Sequence, residues 1–166
     1  MIEVLDVVND KDEVIGSAPY SEIYAAKFPH RICHLFIFND AGEMALQLRS
    51  KIKSFCPGLW STAAGGHVQS GETYEIAIMR ESMEEIGVAP LAKFLAVDRY
   101  NDPSFGHFKF LGSFTSTYNG EFEINLKEVE KISFFPLKEI QEMINQKEKF
   151  HPELLFLLEK YFGIKK

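Results

Sequence analysis

The chain has 166 residues, a formal net charge of −6, and 46% hydrophobic and 13% aromatic content, enough apolar material for one domain with a sizeable core. The acidic balance argues against broad nucleic-acid binding, which calls for a basic patch, and no apolar run approaches the roughly 20 residues of a membrane span. The opening MIEVLDVVND mixes acids into an alternating pattern and reads as neither a signal nor a transit segment, so a cytoplasmic protein acting on a small molecule, with no nucleic acid and no membrane, is expected.

Residues 2–8 and 13–18 predict two short strands around the turn Asn9-Asp10-Lys11-Asp12, and a helix over 21–27 follows with Pro29 as its stop. RICHLFIFN (31–39) is a mostly apolar run, Asp40-Ala41-Gly42 a turn, and EMALQLRS (43–50) alternates, which together predict a hairpin. Cys33 and Cys56 lie outside any C-x-x-C pattern and are expected as reduced thiols, Cys33 buried in its strand. Pro57-Gly58 breaks the chain before a short strand at 59–62, where Trp60 reads as core, and Ala63-Ala64-Gly65-Gly66 reads as a small-residue loop. From 73 to 86 the apolar positions Ile76, Ala77, Met79 and Met83 recur at helical spacing, with Gly87 as the stop. Strands are expected at 91–100, 107–117 and 132–135, then helices at 136–145 and 152–162, the last opening on Pro152. Strands with interspersed helices and no linker predict a single domain over 1–166 of α/β (α+β) class, with an N-terminal hairpin and helix over 1–29.

Within the 73–86 helix, Glu81, Glu84 and Glu85 stand at i, i+3 and i+4, so one face gathers three carboxylates while Arg80 is turned aside. Like charges so placed destabilise a bare helix. A charge run is usually a solvated face, yet an oxygen cluster is also what hard cations such as Mg²⁺ or Mn²⁺ select, and such ions bridge substrate phosphates. On the strand before the loop, Arg49 has the charge and reach to meet a phosphate, with Lys51 and Lys53 behind it, and Phe55 is an aromatic able to stack a base.

The spaced set Gly66, Glu72, Arg80, Glu81, Glu84, Glu85 and Gly87 in GHVQSGETYEIAIMRESMEEIGV (66–88) follows G-x5-E-x7-R-E-U-x-E-E-x-G-U, where U is apolar. At background frequencies of roughly 5–10% per residue type, chance would produce it on the order of once in 10⁸ start points. The chain therefore resembles the Nudix hydrolases. That resemblance implies an α/β/α sandwich with a mixed sheet, and metal-dependent attack of water on a phosphorus of a nucleoside diphosphate derivative. It implies Glu84 and Glu85 as metal ligands, Glu81 as ligand or general base, the Gly65 carbonyl as a further ligand, and a Glu72–Arg80 ion pair that fixes the loop. Gly66, His67 and Arg49 fall where substrate is contacted. Glu128, six residues before Phe134, is the candidate for an additional acid, with Glu121 and Glu123 as competitors. Ser82 departs from the pattern, standing where an apolar residue is usual. A homodimer is common in the family.

Beyond the box, HRICHLFIFNDAGEMALQLRS, PGLWSTAAGGHVQSGE and FHPELLFLLEKYF resemble the branch related to isopentenyl-diphosphate isomerase. That enzyme moves a proton on carbon with an acid/base Cys whose position here is Gly65, and two of its glutamates match His107 and Lys109. His30 and His67 align with its metal-binding histidines, whereas another aligns with Ile23. Hydrolysis is therefore expected over isomerisation, with a non-catalytic binding module as the remaining alternative. His30 and His34 read at least as well as structural. Selectivity is expected from loops at 51–58, 101–107 and 118–128, with Asp102, Phe105 and Phe108 as candidate pocket residues.

Overall fold

The computed structural model describes residues 2–166. An antiparallel pair, β1 (Val4–Val8) and β2 (Val14–Pro19), opens the chain. Its turn is closed by the Asn9 side chain, whose Oδ1 accepts from the Lys11 and Glu13 amides. Helix α1 (Tyr20–Ala26) ends where Lys27 turns left-handed at φ 57°, two residues before the expected proline stop. Leu5, Ala18 and Ile23 form the small core of this unit.

The main sheet is mixed, ordered β5–β4–β3–β8–β7, with β6 added to β3 and β9 to β4. Its members are β3 (Arg31–Phe38), β4 (Met44–Arg49), β5 (Trp60–Thr62), β6 (Ala64–His67), β7 (Lys93–Asp102), β8 (His107–Thr117) and β9 (Val129–Phe135). Strand β3 runs parallel to β8 at its centre and is buried along nearly its whole length. Its side chains alternate between two cores, as a strand covered on both faces requires. Cys33, Leu35 and Ile37 face helix α2 (Tyr74–Ile86) with Ala77, Ile78 and Ile86. Ile32 and Phe36 face helices α3 (Leu137–Asn145) and α4 (Pro152–Phe162) with Ile140, Leu154, Leu157 and Leu158. The expected sandwich of helix, sheet and helix is the observed architecture. Among the described residues no helix is long and apolar enough to cross a membrane, which says nothing of a β-barrel.

Three local expectations are corrected. The 31–39/43–50 hairpin pairs only at Phe38↔Met44, then opens like a fork: β4 leaves to pair with β5 and β9, and β6 takes the vacated edge of β3. The segment expected as a loop at 63–66 is mostly that strand β6, because small residues let its backbone lie in the narrow fork. On α2 the buried stripe is Ala77, Ile78, Ser82, Glu85 and Ile86, whereas Ile76, Met79 and Met83 are more than half exposed. Helix α2 is rotated so that its carboxylates face the mouth of the fork.

Candidate active site

The N-terminus of α2 is fixed before its carboxylates are reached. Thr73 caps the helix by accepting from the Ile76 N–H. The preceding loop is strapped to β1: Ser70 Oγ donates to Asp6 at 2.7 Å, Gly71 N–H to the other Asp6 oxygen at 3.2 Å, and Ser70 N–H to the Val4 carbonyl at 2.8 Å. At the far end Gly87 is left-handed at φ 70°, and a Cβ there would lie 2.5 Å from that of Glu123. The buried Ser82 hydroxyl donates to the Val88 carbonyl at 2.5 Å. Its departure from an apolar residue therefore satisfies one of the carbonyls around the helix end.

Arg80 is the hub of this wall and not turned aside as the helical spacing suggested. Its Nε and Nη2 grip both Glu72 oxygens at 2.7 and 2.8 Å, and Nη2 also donates to the His67 carbonyl at 2.9 Å. Its Nη1 donates to Glu81 at 2.7 Å and Glu84 at 3.3 Å. The Glu72–Arg80 pair is thus formed, and the hydrogen bond from Arg80 holds the Glu72 carboxyl below its ordinary range. Glu85 is buried, accepting from the Gln47 amide at 2.8 Å and the Gly65 N–H at 3.0 Å. Burial first, and then the charge of Glu81, push its pKa up to about 7. Burial also raises Glu81, with Arg80 pulling the other way. The Glu81 carboxylate lies directly on Gly66, where a Cβ would come within 2.5 to 2.8 Å of it, so any larger residue would displace it.

Among the described residues no three His, Cys, Asp or Glu side chains are grouped as a ready metal cage, and Arg80 spans Glu81 and Glu84. The donors nevertheless suit a hard divalent cation. Two carboxylates are desolvated and crowd each other, and the buried Gln47 Oε1 beside Glu85 has no hydrogen-bond partner. A backbone oxygen completes the set. Val68 N–H bonds the Arg31 carbonyl, and bonded pairs alternate along an antiparallel ladder, so Gly65, opposite His34, turns its carbonyl away from β3 on the side of Glu85.

These groups form one wall of a cavity of about 440 Å³. Glu128 also lines it, in an ion pair with Lys53, whereas Glu121 and Glu123 do not. Arg49 lines the cavity and also closes the 50–58 loop, donating to the carbonyls of Phe55 at 2.9 Å and Cys56 at 3.2 Å. His67 lines it too, its Nε2 2.9 Å from the Tyr24 hydroxyl and its Nδ1 3.6 Å from Glu3. Burial pushes its pKa down to about 3. His34 is structural in the sense expected, bridging Thr62 at 3.1 Å and Glu153 at 3.0 Å. Trp60 is core and donates to Glu148. Phe108 turns away from the cavity, under the Arg99 guanidinium and against Val8 and Phe110. Asp102 and Phe105 support Lys109 from behind. Cys33 and Cys56 are free thiols; Cys33 is buried, and burial raises its pKa.

Sequence reasoning missed Asp6, Tyr24, Gln47 as a partner of Glu85, and the pair Lys109–Glu153. The only signal for the last was a lysine between two phenylalanines in the apolar run HFKFLGSF.

The family model described as NUDIX domain matches residues 13–158. A Pseudomonas aeruginosa protein named an uncharacterized Nudix hydrolase is 38% identical over 86 residues, 52% of this chain and 51% of its own length. The chain thus spans about half the length of several curated relatives it matches. Isopentenyl-diphosphate Delta-isomerase 2 of Photorhabdus laumondii is 30% identical over 148 residues, 87% of this chain and 84% of its own. The crystal structure of DR0079 from Deinococcus radiodurans superposes with a TM-score of 0.82 at 27% identity, covering 95% of this chain and 98% of that one.

Proposed function

We propose, from the premise that the chain belongs to the NUDIX domain family, that it is a metal-dependent hydrolase cleaving a diphosphate linkage in a nucleoside diphosphate derivative by attack of water on phosphorus. The observation that carries this reading is the pair of buried Glu85 and partly buried Glu81, both raised by desolvation, with the unpartnered Gln47 Oε1 beside Glu85. Glu81, Glu84 and Glu85, with the Gly65 carbonyl, would hold Mg²⁺ or Mn²⁺. Bound there, the cation would supply neutralisation of phosphoryl charge and a more acidic water. Arg49 and Lys53 meet the phosphates in the same cleft, whose low dielectric strengthens such contacts. Arg80 keeps Glu81 and Glu84 oriented through Glu72. Glu128 is the additional acid at the rim, positioned by Lys53.

Against isomerisation stands Gly65 at the isomerase's cysteine position. The nearest thiol, Cys33, is buried and donates to the Gly66 carbonyl. With Mg²⁺ or Mn²⁺ present, the protein is expected to release phosphate or a nucleoside monophosphate from some member of a panel of nucleoside di- and triphosphates, dinucleotide cofactors and nucleotide sugars. Glu84→Gln and Glu85→Gln should each lower the rate by orders of magnitude. Undiminished rates in both variants would sink the metal assignment. Isopentenyl diphosphate should yield no isomer, and clear turnover would overturn the role given to Gly65.

A further inference from the structure

Besides the carboxylate wall, the cleft has a floor made from charges that the proposed hydrolysis does not use. Lys109 on β8 is 1% exposed, yet it lines the cavity together with Glu153 at the start of α4. Its ammonium lies 2.9 Å from Asp102 and 3.1 Å from Glu153 Oε1, while Glu153 Oε2 accepts from His34 at 3.0 Å. The rings of Tyr24, Phe55 and Phe105 surround the ammonium at 5.8, 5.5 and 5.2 Å. Tyr24 and Phe55 also line the cavity.

We propose that this floor, centred on Glu153 and Lys109, binds vicinal hydroxyl groups of a sugar carried by the diphosphate substrate. The donor and acceptor count supports it. Lys109 has three N–H donors and two carboxylate partners, which leaves one N–H; each Glu153 oxygen has two acceptor sites and one protein partner, which leaves one on each. Two free acceptors beside one free donor match two adjacent hydroxyls, each donating to the carboxylate and one accepting from the ammonium. Carboxylates bind ribose hydroxyls in this way elsewhere. The charges exclude the competing occupants. Two carboxylates around one ammonium repel a further phosphate, and an apolar chain would leave a buried ion pair facing hydrocarbon. The aromatic faces of Tyr24 and Phe55 suit the C–H faces of a sugar ring.

The inference rests on the hydrolase reading for its substrate, but its test does not depend on turnover. The probes are matched pairs that differ only in the hydroxyls: a ribonucleoside diphosphate against its 2′,3′-dideoxy form, and a nucleotide sugar against the same nucleoside diphosphate bearing an alkyl group. The two pairs separate the nucleoside ribose from the second sugar as the source of the diol. Calorimetry with the wild-type protein should show at least one pair in which the hydroxylated member binds tenfold or more tightly, with the same preference in kcat/KM where cleavage occurs. In Glu153→Gln and Lys109→Met, that ratio should collapse to within about threefold. Each variant's affinity for the deoxy or alkyl partner serves as its own reference, so a general weakening cancels. Equal binding within both pairs by the wild-type protein overturns the inference without reference to any variant. A ratio that survives in both variants overturns the assignment to this floor. If no diphosphate is cleaved with any metal while the diol preference stands, it is the hydrolase reading that fails.

Discussion

Glu85 on α2 and Glu153 on α4 are both buried carboxylates lining the same cleft, yet one has its pKa pushed up to about 7 and the other is held well below the usual carboxylate range. Burial disfavours the charge of each. At Glu153 it is outweighed by the hydrogen bond from His34 and the charge of Lys109. At Glu85 the charge of Glu81 adds to burial, and the neutral donors Gly65 and Gln47, with the charge of Arg49 behind them, answer it only in part. The floor's cation bonds its carboxylate directly, whereas Arg80 on the wall bonds Glu72, Glu81 and Glu84 and leaves Glu85 without one. A fully compensated site is a fixed recognition surface, whereas an under-compensated one gains free energy when a cation arrives.

The most forceful way to break this comparison is to remove the internal cation. Lys109→Met leaves Asp102 and Glu153 facing each other in the interior and should cost about 3–5 kcal/mol, read as a lower Tm on the order of 10 °C for a domain this size. Glu85→Gln should do the reverse: it removes an uncompensated charge, so Tm without metal should hold or rise while activity is lost. A melting point that falls sharply for Glu85→Gln and not for Lys109→Met would show that the two sites have been assigned the wrong way round.

The two sites also differ in how far the sequence reveals them. Every ligand candidate on the wall except Gly65 comes from one helix, so the spacing 81, 84, 85 is itself the geometry. The layers of the fold were readable for the same reason, since β3 and α4 carry their burial in local patterns. The floor joins residues 34, 62, 102, 109 and 153 from four strands and a helix, and no local period records such a meeting. The fork between β3 and β4 was hidden likewise, because alternation predicts that a strand has partners without naming them. The role of Arg80 was misjudged because helical spacing places its Cα and not the end of a long side chain that reaches back across four partners.

Acid should act more gently, and it sharpens the contrast through sign. Burial pushes the pKa values of His30 and His151 down to about 4. Between an unfolded value near 6.5 and that folded value, the unfolded chain binds protons that the folded chain refuses, so stability falls as pH drops through this window. Glu85 works the other way: its folded pKa is raised, so its contribution is fully present below the ordinary carboxylate value and is lost as pH rises towards 7. His30, His67 and His151 all act across pH 7 to 5, whereas of the raised carboxylates Glu3, Glu81 and Glu85 only Glu85 reaches about 7, so acidification leaves a net loss. Thermal melts between pH 7 and pH 5 should show Tm falling by several degrees. His151→Asn, which can still accept the Glu153 N–H at the start of α4, should flatten that slope, and an unchanged slope would remove His151 from the account.

The smallest expected effect, that of a substitution at Met79, tests which face of α2 is buried. Ile78 is 1% exposed between α2 and the sheet, while Met79, one residue on, is 56% exposed. Ile78→Ala should cost about 2–4 kcal/mol through lost burial and an unfilled cavity. Met79→Gln should stay within about 0.5 kcal/mol of the parent, as surface substitutions do. The spacing of Ile76, Met79 and Met83 alone would have predicted the opposite order for 78 and 79. The rotation of α2 that exposes them is also what turns Glu81 and Glu85 into the fork, so the burial of Ile78 and the placement of the carboxylates are one geometric fact. A Met79→Gln loss as large as that of Ile78→Ala would place Met79 against the core and swing the carboxylate face away from Gly65 and Gly66.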